Sequence, residues 1–373
     1  MPCLVPDLPS TSALLPWLAR LDETRWYSNF GPLLREFELK LADALPQPPT
    51  TPAAVATVSS GTVALEVALL ALDLPPGSTV LVPSFTFPAT ASAVVRAGHA
   101  PVLVDVDPIS WALTPKLARE ALEHQEADAV VPVAAFGMRQ PAMAWDAFSR
   151  EMGIPVVIDA AAAWGSQEVL GSVVVTFSLH ATKPLGIGEG GVVASRDPAF
   201  VERCRRLVNF GFGDDRRIHW VGLNGKLSEM ACAVGLAQLE RWDEIRARRR
   251  ALYDGYRASL GGSDVSFRWV EPPAPAPAVL AVRCPGGATP VERALAEDGI
   301  ETRRWYCPAL HAQPAYEGLR KVGPQGDPAL PVSTRLGDEI LGLPFHTYLD
   351  DRDVQLVGDR VRALTRLTRG LVA

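Results

Sequence analysis

The feature that most constrains this chain is a succession of short apolar runs with almost no alternation. "AVATV" (54–58), "STVLVPS" (78–84), "APVLVDVD" (100–107), "ADAVVPVAAF" (127–136), "IPVVIDA" (154–160) and "GSVVVTFS" (171–178) are all of this kind. A strand with one wet face alternates apolar and polar residues; a run that is apolar at every position needs cover on both faces. Helical stretches separate these runs, for example Thr62 to Leu72 and "FPATASAVVRAG" (87–98). The order reads as an α/β fold, a mixed and mainly parallel sheet sandwiched by helices. "GGVVASR" (190–196) is one more strand, of a direction the sequence leaves open.

The texture changes near Lys226. Leu227, Met230, Ala231, Val234, Leu239, Trp242 and Ile245 recur at helical spacing, and the stretch ends in the charged "RWDEIRARRR" (241–250). This predicts one long amphipathic helix with a solvated end, suited to linking two domains. The Pro-rich "EPPAPAPAV" (271–279) is a loop. Beyond it, "AVLAVRC" (278–284), a helix near Val291 to Asp298 and "GIETRRWY" (299–306) form a smaller C-terminal α/β unit. The expected division is 1–240 for a large domain and 241–373 for a small one, and a length of 373 residues accommodates both. A net charge of −6 gives no electrostatic case for nucleic acid or an anionic membrane as a partner. The five cysteines are scattered and lack metal-ligand spacing, and the histidines lack it too. No metal site is expected, and a reducing cytoplasm is the expected location. The N-terminus makes a poor signal peptide, and no run is long enough to span a membrane.

Ligands on open parallel sheets bind beyond the carboxyl ends of the strands. "SSGT" (Ser59 to Thr62) follows the first strand and opens a helix. It is either a simple N-cap or a phosphate seat, because a helix N-terminus offers free N–H groups and a positive dipole end. Asp159 closes an apolar run, which is costly without a partner; it is a helix cap or a site carboxylate. Ser178, His180 and Lys183 follow "VVVTF". Lys183 alone reads as a surface charge as readily as a reactive amine. Together, a phosphate seat, a carboxylate and an amine at strand ends suit pyridoxal phosphate, with Lys183 as the Schiff-base residue and Asp159 on the pyridinium nitrogen. "GIGEGG" (186–191) holds the letters of a dinucleotide fingerprint but precedes a strand, so it reads as a tight turn returning the chain to the sheet. Lys183 also lacks the spacing of a P-loop.

These segments resemble the DegT/StrS-type sugar aminotransferases, which are fold-type I pyridoxal phosphate enzymes. The likeness runs from "WYSNFGPLLREFELKLA" (26–42) through "SSGTVALEVALLAL" (59–72), "VLVPSFTFPATASAVVRAGHAPVLVDVD" (80–107) and "DAAAAWGS" (159–166). It continues in "FSLHATKPLGIGEGG" (177–191) and "GLNGKLSEMACAVGLAQLERWDEI" (222–245) and ends in "LGLPFHTYLDDRDVQLV" (341–357). The resemblance implies that Lys183 bears the cofactor and shuttles the proton, and that Asp159 keeps the ring nitrogen protonated. Gly61, Thr62 and the Ser178 hydroxyl would bind the phosphate, and Phe87 would lie against the cofactor face. Asn224 would reach the phosphate of a neighbouring subunit, which implies a homodimer with shared sites; His180 would lie near the site. The implied reaction moves an amino group from an amino acid, usually glutamate, to a keto-sugar, typically a nucleotide-linked 4-keto-6-deoxyhexose, in amino-sugar, polysaccharide or glycoside biosynthesis.

Two departures stand out. Ala162 occupies a position where the family commonly has Gln or His in contact with the cofactor, and only "QEVLG" (167–171) stands where a longer hairpin is usual. They keep open an aminotransferase for a non-nucleotide cyclic ketone of the aminocyclitol type, and a non-catalytic regulatory homologue. The dehydratases of the family replace the lysine with histidine, so Lys183 argues against dehydration. Arg216, Arg217, Arg303 and Arg304 are either substrate contacts or surface arginines.

Overall fold

The computed structural model describes residues 1–46, 52–261, 263, 265–272 and 274–370, the last five of these in backbone only. Helices α1 (Thr11–Thr24) and α2 (Pro32–Ala44) precede strand β1 (Ala54–Val58). Strands and helices then alternate: α3 (Gly61–Ala71), β2 (Thr79–Pro83), α4 (Pro88–Arg96), β3 (Ala100–Val104), α5 (Pro115–Leu122), β4 (Ala129–Val130), α6 (Ala142–Met152) and β5 (Val157–Asp159). β6 (Val174–Ser178), β7 (Gly191–Ser195), α7 (Pro198–Leu207), α8 (Glu229–Glu240) and α9 (Trp242–Ser259) complete the first part. The remainder holds β8 (Leu280–Arg283), α10 (Thr289–Glu297), β9 (Arg320–Val322), α11 (Pro331–Glu339), β10 (Ile340–Leu343) and α12 (Asp351–Gly370).

The large sheet has the strand order β1-β7-β6-β5 continued by β4-β2-β3-β9. Parallel bridges from Val130 to Val156 and from Val133 to Asp159 join the two halves. β7 is antiparallel to both β1 and β6, which settles the direction the sequence left open; the other pairings are parallel. The unbroken apolar runs are explained by two cores, one on each face. Leu81, Val175 and Phe177 face a core with α1, α2, α6 and α8. Their neighbours Val80, Val82 and Val174 face a second core with α3, α4 and α7. Period-two alternation is present, but both faces are apolar.

The run 127–136 yields only a two-residue strand. Pro132 has no N–H to donate, and the chain leaves the sheet in a turn at Ala135–Gly137. The single long helix expected after Lys226 is two helices, α8 and α9, which meet at Arg241. The Arg241 guanidinium reaches the Asp7 carboxylate at 3.1 Å and the Leu8 carbonyl at 3.3 Å, so the break is tied to the N-terminal segment. In the C-terminal part, β8 and β10 pair antiparallel over a core that includes Leu252, Tyr256, Val282, Leu295 and Val357. β9 from this part extends the large sheet alongside β3.

Candidate active site

The ends of β1, β5 and β6 open into a cavity of about 360 Å³, which also touches Phe87, Phe136, Trp305 and Tyr306. Its size falls within the range of small-molecule and cofactor pockets. At one end lies the N-terminus of α3. Ser60 caps this helix by accepting from the Val63 N–H at 3.2 Å. The amides of Gly61 and Thr62 are first-turn donors that a helix leaves without an intrahelical partner, and both residues line the cavity. Gly61 is required here, because a Cβ would lie 2.6 Å from the Ser178 Cβ and 2.9 Å from its hydroxyl oxygen. The bare backbone lets the Ser178 hydroxyl sit against the helix start, a cradle of donors for an anion.

Asp159 ends β5 and is buried, with 4% of its surface exposed. It accepts from the Thr90 hydroxyl at 2.8 Å and from the Ala161 N–H at 3.1 Å. The Thr90 oxygen is also 3.1 Å from that of Thr86, so the loop after β2 and the first turn of α4 fix the carboxylate. Burial pushes the Asp159 carboxyl above the usual range, against these hydrogen bonds and the Lys183 charge. Burial likewise lowers the Lys183 ammonium, with Asp159 opposing. Lys183 is partly buried in the turn after β6, where its N–H donates to the His180 carbonyl at 2.8 Å. The arrangement holds an amine with a neutral fraction near a carboxylate that gains from a cationic partner.

The "GEGG" stretch is a turn. Leu179 N–H donates to Gly190 O and Ala181 N–H to Gly188 O, both at 2.8 Å, and Gly188 takes φ +100° before the chain enters β7. His180 lines the cavity, its ring 3.0 Å from the Thr182 hydroxyl and 3.7 Å from the Glu189 carboxylate.

Lys183, Asp159, Ser178, Gly61, Thr62, His180 and Phe87 therefore meet in one cavity, with Phe87 half exposed at 54%. Asn224 is exposed outside it and accepts from the Lys226 amine at 2.8 Å. Arg216, Arg217 and Arg303 are exposed and do not line it. The Arg304 guanidinium is occupied by the Gly337 and Asp338 carbonyls, each at 2.9 Å, and by the Thr289 hydroxyl at 3.0 Å. Sequence reasoning missed Thr90, Glu189, Phe136 and Tyr306. Glu189 stood in plain view between glycines; the others arrive from elements whose packing no local pattern reveals.

A pyridoxal phosphate molecule presents an anion, a basic ring nitrogen and an aldehyde. The cavity matches them with the α3 donors and Ser178, with Asp159, and with Lys183. Comparisons agree with this chemistry. Residues 12–362 match the model of the DegT/DnrJ/EryC1/StrS aminotransferase family. The chain is 34% identical over 338 residues to the erythromycin biosynthesis sensory transduction protein EryC1 of Saccharopolyspora erythraea, covering 87% of each. It is 31% identical over 336 residues to the UDP-2-acetamido-2-deoxy-3-oxo-D-glucuronate aminotransferase of Pseudomonas aeruginosa, covering 88% of this chain and 89% of that one. The crystal structure of DesI with its TDP-sugar product superposes with a TM-score of 0.87 at 30% identity, covering 99% of this chain and 94% of that one. The chain belongs to the DegT/DnrJ/EryC1/StrS aminotransferase family and is a pyridoxal phosphate-dependent transaminase.

Proposed function

We propose that this enzyme moves an amino group from an amino acid, glutamate by preference, to the keto group of a nucleotide-linked 4-keto-6-deoxyhexose in amino-sugar biosynthesis. The observation that carries the reading is the convergence of Lys183, Asp159 and the α3 N-terminus on one cavity. Sugar nucleotides named for two of the similar proteins support the substrate class. Bound pyridoxal phosphate supplies a carbonyl that carries the amino group and a ring that withdraws electrons from the carbon being deprotonated. Asp159 holds the proton on the ring nitrogen. Lys183, lowered by burial, has a neutral fraction able to take a proton from the substrate carbon and return it. The Gly61 and Thr62 amides and the Ser178 hydroxyl bind the phosphate, Phe87 covers the ring face, and His180 borders the substrate side.

In this reading Asn224 completes the phosphate site of a second copy. The exposure of Phe210, Phe212, Ile218 and Val221 along the preceding segment supports a homodimer. The turn at Arg241 and the separate core over β8 and β10 support a division at 240/241. All five cysteines are free thiols, and no helix among the described residues is long and apolar enough to cross a membrane; the thiols support a cytoplasmic location.

One observation favours a second acceptor, an unlinked cyclic ketone. Among the described residues, none that line the cavity is an arginine, while four are aromatic. A panel decides between them: enzyme and glutamate incubated with nucleotide-linked keto-sugars and with free cyclic ketones, amino products being read by mass spectrometry. Product from a nucleotide-linked sugar is expected. Product from free ketones alone would move the assignment to the second acceptor.

A further inference from the structure

The cofactor seat proposed above leaves the ring hydroxyl of pyridoxal phosphate to be accounted for. Ala162 lines the cavity but offers only a methyl group. The Thr86 hydroxyl is engaged with Thr90, which serves Asp159, and the His180 ring is engaged with Thr182. Tyr306 is different: the Phe136 backbone N–H donates to its phenol oxygen, which leaves its own O–H to donate. It lines the same cavity, its ring is stacked on Phe136 at 4.9 Å with an 18° interplanar angle, and Phe85 meets it edge-on at 5.1 Å. Both partners of the stack have left-handed backbones, φ +59° at Tyr306 and +60° at Phe136. Aromatic residues adopt that conformation at a cost, so the surroundings must hold the pair there. The Val279 N–H contributes by donating to the Phe136 carbonyl at 3.2 Å. Burial first, and then the Asp159 charge, push the Tyr306 phenol above its ordinary value against the Phe136 N–H, so it stays protonated and a donor within the field of Asp159.

We propose that Tyr306, clamped by Phe136, is a cofactor-binding residue that donates a hydrogen bond to the ring hydroxyl oxygen, the service Ala162 cannot give; this rests on the cofactor seat proposed above. A donor at that oxygen draws off negative charge that would otherwise stabilise the proton on the nitrogen joining Lys183 to the cofactor. The test is a pH titration of the visible absorption of the holoenzyme. In Tyr306→Phe the phenyl ring keeps the stack, and the midpoint is expected to rise by about one pH unit with the cofactor retained. Phe136→Leu keeps the hydroxyl and loosens its support, so a smaller shift in the same direction is expected. An unchanged or lowered midpoint in Tyr306→Phe overturns the role of Tyr306 while leaving the cofactor seat intact, and an unchanged midpoint in Phe136→Leu overturns the clamp. A wild-type holoenzyme with no lysine-bound cofactor absorption would instead overturn the seat itself.

Discussion

Asp105 and Asp159 occupy equivalent places and do different work. Each ends an apolar parallel strand, Asp105 just past β3 and Asp159 as the last residue of β5, and each is almost fully buried. Asp105 is consumed by the fold. It accepts from the Val106 N–H at 2.9 Å, the Val332 N–H at 3.0 Å, the Ser333 N–H at 2.7 Å and the Ser333 hydroxyl at 2.6 Å. It thereby caps α11, whose own N-cap residue Leu330 has no oxygen in its side chain. Asp159 receives two such bonds and turns to a cavity shared with Lys183. A buried carboxylate is stable when its acceptor capacity is filled. Asp159 falls short of that with protein groups alone, and a protonated ring nitrogen is the partner that completes it.

The contrast can be broken in order of effect. Lys183→Ala should lower kcat/KM for transamination by about 10⁴-fold, with the cofactor-free protein no less stable in a thermal melt, because the lost ammonium was poorly solvated. Asp159→Asn should cost about 10³-fold in kcat/KM. Its effect on the cofactor-free fold has the opposite sign. The folded carboxyl titrates above 3.8, so the folded state binds more protons than the unfolded one between 3.8 and the raised value. Wild-type stability therefore falls as pH rises through that window, and the asparagine variant gains on it there and above. Thermal midpoints of the two cofactor-free proteins across pH check this; a constant difference would contradict it. Asp105→Asn should reverse the pattern, losing about 3 kcal/mol in urea unfolding while activity per folded molecule stays near wild type. Thr90→Val removes one donor from Asp159 and should lower kcat/KM by about tenfold, about 1.4 kcal/mol.

The same contrast marks what the sequence could disclose. "VLVDVD" and "VVIDAA" present the same pattern, an aspartate closing an apolar run, and only the second was singled out, by its company of Lys183 and Ser178. The partners that separate the two lie far away in the chain: Ser333 is 228 residues from Asp105, and Thr90 is 69 residues from Asp159. The strand-end residues were legible because parallel topology puts strand ends on one edge. Phe136 and Tyr306 were not, because their approach depends on left-handed turns and on how the C-terminal part packs against the sheet. β7 was recognisable as a strand, but its direction depends on the length of the turn at 186–190, which composition alone does not fix.

The most direct measurement of the central claim is borohydride reduction of the purified holoenzyme, followed by proteolysis and mass spectrometry. The cofactor should be covalently retained on the peptide carrying Lys183 in wild type and in Asp105→Asn, and lost in Lys183→Ala. Retention on a peptide carrying Lys226 or Lys321 instead, or label that survives Lys183→Ala, would contradict the account.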